Sequence, residues 1–244
     1  LSRTASEPAR MSRRLLFLPV LLLALGLGFS LLGESLLGAM LFRPVSGSEI
    51  RPERLGLEGQ DVFLETEDGV GLHGFWLPVE GADTALLFLH GNGGNASYAL
   101  PSASRFLRFG VSVLVLDYRG YGLSEGTPTE AGLYLDAQAG LDYLVEVQGF
   151  PQDRILVLGQ SLGGAVAVHL AQERSLGGVI LESTFDSLAG VVRSRLPFVD
   201  LMLSGRFDSD RKIARLESPV LFLHGDRDGT VPLEAGKRLF SKAP

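Results

Sequence analysis

Hydrophobic and polar positions follow three regimes along the chain. From Leu15 to Gly33 (LLFLPVLLLALGLGFSLLG) no residue carries a charge. Residues 43–60 (RPVSGSEIRPERLGLEGQ) are polar and interrupted by proline and glycine, and read as a linker. Beyond them DVFLET and VGLHGFWLP alternate around the turn Glu67–Gly69, the pattern of a β-hairpin. From Ala85 the alternation stops. ALLFLH, VSVLVLD, RILVLG, GGVILE and PVLFLH are continuous apolar runs, each closed by a glycine-rich or polar turn. Strands apolar on both faces belong to a parallel sheet covered by helices on both sides. The spacing predicts those helices over about 97–108, 129–148, 162–173 and 233–242. In the second, Leu133, Ala137, Leu141 and Leu144 form one stripe. Strand–helix alternation of this kind predicts a doubly wound α/β sheet.

The uncharged run is long enough to cross a hydrocarbon core of roughly 30 Å at about 1.5 Å per helical residue. Arg13 and Arg14 precede it, which favours keeping that end in the cytoplasm and the rest of the chain on the non-cytoplasmic side. The run exceeds the h-region of a signal peptide and no A-x-A site follows, so an uncleaved single-pass anchor is expected over a cleaved signal or a buried core helix. Pro19 falls in its first turns, where membrane helices tolerate it. The first methionine, Met11, is the expected start. The expected division is a tail over 1–14, an anchor and juxtamembrane segment over 15–42, a linker over 43–60 and one folded domain over 61–244. A net charge of −6 argues against a nucleic-acid partner. With no cysteine among 244 residues, disulfides, thiolate metal sites and cysteine nucleophiles are excluded.

One pentapeptide carries chemistry. Gly159-Gln160-Ser161-Leu162-Gly163 is a G-x-S-x-G, preceded by the buried run RILVL and followed by the helical LGGAVAVHLAQE. A serine at a tight strand-to-helix turn needs glycines around it, and Gly159, Gly163 and Gly164 supply them. The bland alternative is a serine that caps a helix. A different chemistry competes upstream. Gly91, Gly93 and Ala96 fit G-x-G-x-x-A after a strand, and Asp117 ends the next strand, as in a dinucleotide-binding fingerprint. That reading leaves GQSLG and HGDRD unexplained.

Taken together, HGNGGN (90–95), DYRGYGLSEG (117–126), GQSLGG (159–164) and HGDRDGTVP (224–232) resemble the alpha/beta-hydrolase superfamily, especially its membrane-anchored serine-hydrolase branch with a short cap. The resemblance spans about Asp61 to Pro244. It implies Ser161 as nucleophile and the backbone N–H groups of Leu162 and Asn92 as the oxyanion hole. It implies Asp228 as the acid, on the pattern H-G-x-x-D-x-x-V-P, with Asp226 as the alternative. Asp117 and Arg119 are expected to fix their own loop rather than to touch a ligand. The triad of this fold runs Ser, acid, His along the chain, yet no histidine follows Asp228. His73, His90, His169 and His224 are each expected in structural roles. The expectation is therefore a C-terminal truncation that removes the last strand and the catalytic histidine together.

The reaction implied is acyl transfer from a carboxylic ester or acyl thioester, with no cofactor and no metal. A short cap inserted between GGVILE and PVLFLH, with an apolar centre (LPFVDLMLSG, 196–205), suits a carboxylic ester or acyl thioester that is lipid-derived, or is an ordinary packed helix. Expected partners are a small acyl substrate and the lipid bilayer. The alternative from another class is a catalytically silent, membrane-tethered binding protein on the same fold.

Overall fold

A computed structural model describes residues 41–193 and 205–244. The apolar run Leu15–Gly33 and nearly all of the expected cap's apolar centre lie outside those residues. Among the described residues no helix is long and apolar enough to cross a membrane.

The alternating segment folds as expected into a hairpin, β1 (Gln60–Glu65) against β2 (Gly71–Leu77), antiparallel with Phe63 opposite His73. Its turn is closed by the Thr66 N–H on the Val70 carbonyl at 3.1 Å, with Gly69 at φ 77°. The five continuous apolar runs become β3 (Thr84–Leu89), β4 (Val111–Leu116), β5 (Ile155–Gln160), β6 (Gly178–Glu182) and β7 (Val220–Leu223). These seven form one sheet in the order β1-β2-β4-β3-β5-β6-β7. The five later strands run parallel, and the hairpin joins them antiparallel through β2 and β4.

Burial on both faces explains the unbroken apolar runs. From Ala85 to Leu89 every side chain of β3 is at most 1% exposed. Side chains alternate between faces with a period of two. Leu86, Phe88, Val113 and Val115 pack with Leu100 and Ala103 of α1 (Ala96–Ala103) on one face. On the other, Gly140 of α2 (Glu130–Asp142) lies so close that a Cβ there would stand 3.0 Å from Leu87 and 3.1 Å from Leu116. The stripe Leu133, Ala137, Leu141 and Leu144 is buried. Each such Leu or Phe contributes about 1.5–3 kcal/mol by leaving water, which is why the central strands carry so little polarity.

Local signals set the helix ends. The Asn95 side chain accepts from the Ser97 N–H at the start of α1, and Thr129 accepts from Gly132 N–H at the start of α2. Helix α1 runs on into a 3-10 turn over Ser104–Phe109, and α2 into a π-turn over Tyr143–Val147. Helix α3 (Leu162–Glu173) leaves β5, α4 (Leu188–Arg193) and α5 (Ser209–Lys212) follow β6, and α6 (Leu233–Phe240) follows β7.

Phe42–Pro244 form one unit, so the polar stretch 43–60 belongs to the domain. Arg43–Pro44 pair in parallel with Gly93–Gly94, Ser46 bridges Gly122, and Pro52–Leu55 form a 3-10 turn.

Candidate active site

Ser161 stands between β5 and α3 with φ 52° and ψ −112°. A positive φ is uncommon for a residue with a side chain and costs of the order of 1–3 kcal/mol, sustained only where the surroundings over-determine it. Here they do. The Ser161 N–H donates to the Glu182 carbonyl at 2.8 Å, and the Ser161 carbonyl accepts from the Gly164 N–H and from the Thr184 hydroxyl at 2.8 Å. The glycines around it are steric necessities. A Cβ at Gly159 would meet the Gly163 carbonyl at 2.2 Å, one at Gly163 the Leu89 carbonyl at 2.1 Å, and one at Gly164 the Thr184 hydroxyl at 2.2 Å. The turn is thus pressed against the end of β3, and Leu162 begins the outgoing helix with a buried side chain. Its N–H sits at the helix N-terminus, where the macrodipole favours a developing anion.

The HGNGGN loop leaves β3 at the same place. A Cβ at Gly91 would lie 3.6 Å from the Ser161 Cβ. Asn92 follows, and its position is fixed by a hydroxyl that sequence reasoning missed. Tyr121 donates to the Asn92 carbonyl (3.1 Å) or its side-chain oxygen (3.0 Å). Burial holds the Tyr121 phenol well above its ordinary pKa and so keeps it a donor. The tyrosine is part of DYRGYG, but nothing local in that motif shows which backbone it reaches.

Asp117 and Arg119 fix their loop, as expected. The Asp117 carboxylate accepts from the Ala96 N–H at 2.6 Å and faces the His73 ring at 2.9 Å, with 1% exposure. Arg119 donates to the buried Asp136 and, through both terminal nitrogens, to Asp68. Burial lifts the Asp136 carboxyl to about 6 against the pull of Arg119. The same geometry weakens the dinucleotide reading. Asp117 is enclosed, and the first N–H groups of α1 are already held by Asp117 and Asn95.

Asp228 lies in the loop after β7. Its Oδ1 accepts from the N–H groups of Thr230 at 2.8 Å and Val231 at 2.9 Å. Burial pushes its pKa up, but these N–H groups, the Ser183 hydroxyl and nearby His224 outweigh burial and hold it below the ordinary carboxylate value. Ser183 has φ 48°, and its N–H donates to the Leu223 carbonyl. Two adjacent residues at the end of β6, Ser183 and Thr184, therefore bond the Asp228 loop and the Ser161 turn respectively. The apolar run GGVILE announces the strand but carries no sign of that bracket. Asp226, the alternative acid, lies in the same loop.

Each histidine is engaged elsewhere. His73 is clasped between Asp61 and Asp117, each at 2.9 Å; burial lowers its pKa, but the two carboxylates win and raise it. His90 bonds the Gly91 carbonyl through Nδ1 at 2.7 Å, its Nε2 stands 3.8 Å from Asp117, and burial lowers its pKa. His224 bonds the Val231 carbonyl through Nε2 at 2.9 Å, with Asp228 at 3.8 Å. His169 stacks on Tyr134 with centroids 3.6 Å apart, and its Nδ1 is 3.1 Å from Lys212. Among the described residues no group of His, Asp and Glu is placed to hold a metal ion.

Comparison with known proteins follows the same lines. The serine aminopeptidase S33 family (Hydrolase_4) matches residues 80–203. The alpha/beta hydrolase domain-containing protein WAV2 of Arabidopsis thaliana is 35% identical over 214 residues, covering 80% of this chain and 70% of that protein. An uncharacterized protein of Mycobacterium tuberculosis is 39% identical over 189 residues, covering 76% of this chain and 67% of that one. A Pyrococcus furiosus esterase superposes with a TM-score of 0.69 at 25% identity, covering 83% of each chain. A strained serine at a strand-to-helix elbow in a sheet of this order, in a chain with these relatives, belongs to the alpha/beta-hydrolase superfamily.

Proposed function

We propose that the protein is a serine hydrolase that cleaves carboxylic ester or thioester bonds through an acyl-enzyme on Ser161. The observation that carries this reading is the Ser161 backbone itself, held at φ 52° by a ring of contacts that only glycine permits. Strain maintained at such expense is characteristic of functional turns. In the proposed reaction a histidine takes the Ser161 proton as the hydroxyl oxygen attacks the acyl carbon. The N–H groups of Leu162 and Asn92 hold the oxyanion. The histidine returns the proton to the leaving oxygen or sulfur, and water then releases the acid by the same route. Asp228, kept ionised by its N–H donors, orients that histidine and stabilises its charged form. No cofactor enters the scheme.

None of the four histidines present is free of other bonds, so the reading assigns the base to chain beyond Pro244. The outer apolar positions of β7, Leu221 and Leu223, support this: they are 52% and 46% exposed and suit a further element packed upon them. The choice of ester over amide is supported by the esterase neighbour. Lipid-derived acyl groups are favoured by the proposed anchor at Leu15–Gly33, which would hold the domain at a bilayer on the non-cytoplasmic side. The engagement of all four histidines also favours a second reading, a silent binding protein on the same fold.

A single preparation separates the two. Expressed from Met11 to its natural stop, the protein is expected to sediment with membranes, resist carbonate extraction, hydrolyse a short p-nitrophenyl ester and take a fluorophosphonate label. Ser161→Ala should abolish turnover and label together. A label that survives in the mutant puts the nucleophile elsewhere, and no label in the parent leaves the binding-protein reading standing. Release by carbonate would remove the anchor from the proposal.

A further inference from the structure

Residues Phe42–Gly47 do more than lead into the domain. The Arg43 N–H donates to the Asn92 side-chain oxygen at 3.2 Å, the same oxygen that accepts from the Tyr121 hydroxyl at 3.0 Å. The segment is then tied down at every step. Val45 N–H donates to the Gly94 carbonyl, Gly122 N–H to the Val45 carbonyl, and Gly47 N–H to the Gly122 carbonyl at 2.7 Å. The Asn95 amide nitrogen, in a side chain 1% exposed, donates to the carbonyls of both Val45 (3.0 Å) and Gly47 (2.8 Å). At its upstream end the Phe42 ring packs edge-on to Phe207, just ahead of α5, with centroids 6.3 Å apart. Loops 90–95 and 117–126 are therefore not held by each other alone. A third segment lies across both.

We infer that Phe42–Gly47 is a positioning strap that sets the oxyanion loop through Asn92, so that loosening this segment slows acyl transfer. The inference rests on the serine-hydrolase reading above. The Arg43 N–H and the Tyr121 hydroxyl meet at one side-chain oxygen, which fixes the Asn92 residue. An oxyanion donor acts only where it is already aimed, and a misplacement of about 1 Å can cost on the order of 100-fold. The strap thus changes the rate of the acyl step, not the affinity for substrate.

The test uses the full chain from Met11 to its natural stop. Arg43→Pro removes one N–H, and Arg43→Ala keeps it as the rescue. Asn95→Asp, the second variant, keeps the oxygen that caps α1 and removes the amide donors on Val45 and Gly47. Both Arg43→Pro and Asn95→Asp should lower kcat for a p-nitrophenyl ester about tenfold or more at an unchanged KM. Amide exchange at Asn92–Gly94 should quicken about tenfold in both, and Arg43→Ala should recover kcat to within about twofold of the parent. Unchanged exchange at Asn92–Gly94 in both variants overturns the strap, as does a rise in KM at constant kcat. The exchange measurement is independent of Ser161, so an unlabelled parent defeats the hydrolase reading and the effect on acyl transfer, while unchanged exchange in a labelled parent defeats the strap alone.

Discussion

Three glycines, Gly91, Gly93 and Gly94, sit in one loop, and only their surroundings tell them apart. Gly94 needs its positive φ of 87°, and a Cβ at Gly91 would touch the Ser161 Cβ at 3.6 Å, whereas at Gly93 a Cβ would meet nothing within 4 Å. Gly163 is more demanding than any of them, because the atoms in its way are the Leu89 and His90 carbonyls, fixed in and just beyond the central strand. Gly163→Ala is therefore expected to cost about 3 kcal/mol or more, as over-packing against immovable atoms does, and to remove fluorophosphonate labelling by displacing the Ser161 turn. Gly93→Ala should shift stability by less than about 0.5 kcal/mol. Urea unfolding of the two variants side by side measures both, and equal losses would show that the crowding at Gly163 relaxes. The motif told where glycine was required for the nucleophile, because strand, serine and helix are contiguous there. It could not rank the loop glycines, nor find Tyr121, Ser183 or Thr184, whose partners lie tens of residues away.

At the scale of elements, periodicity was a sound guide wherever burial set the pattern. The hairpin, the five later strands and the buried stripe that begins in α2 all appear where the apolar spacing placed them, although β7 is not buried on both faces as its run predicted, since Leu221 and Leu223 are exposed. It failed to show the role of 43–60, since that stretch is fixed by hydrogen bonds to Asn95, Gly94 and Gly122 and leaves no hydrophobic period to read. Nor did it expose the cluster joining α2, α3 and α5. There Tyr134 stacks on His169, donates to Glu130 at 2.6 Å, and receives Lys212 at 2.9 Å, while the Phe207 N–H donates to Glu130 at 2.8 Å. Burial, then the Lys212 charge, pulls the His169 pKa to about 4 from 6.5. The unfolded chain then binds more protons than the folded one between those values, so stability is whole above about 6.5 and falls as pH drops toward 4. His169→Gln removes the titrating group, and its unfolding midpoint should decline less steeply across that window than the parent's. Thermal unfolding from pH 7 to pH 4 decides it; parallel curves would show that His169 titrates normally in the fold.

At the scale of the whole domain Phe42–Pro244, the two edges of the sheet differ in what they present. On the hairpin side the sheet ends in β1, which exposes Gln60, Glu65 and one apolar ring, Phe63. On the far side β7 presents Leu221 and Leu223, and Phe240 at the end of α6 is 63% exposed though its ring edges Phe222. Asp228 stands at this same side with its carboxylate kept ionised and its nearest imidazole, His224, committed to the Val231 carbonyl. A segment placed over β7 would cover the leucines and reach Asp228 at once, which is why the proposed base and the proposed last strand are one hypothesis. Residues 43–244 alone should accordingly turn over esters about 10⁴-fold more slowly than the chain extended to its natural stop, the loss typical of a triad deprived of one member. They should also aggregate more readily, because an apolar strand edge invites pairing with another chain. Equal turnover by the short and extended forms would mean that one of His73, His90, His169 or His224 leaves its present bonds to serve as base. His224 would then be the residue to mutate first, being the one imidazole already within 3.8 Å of Asp228.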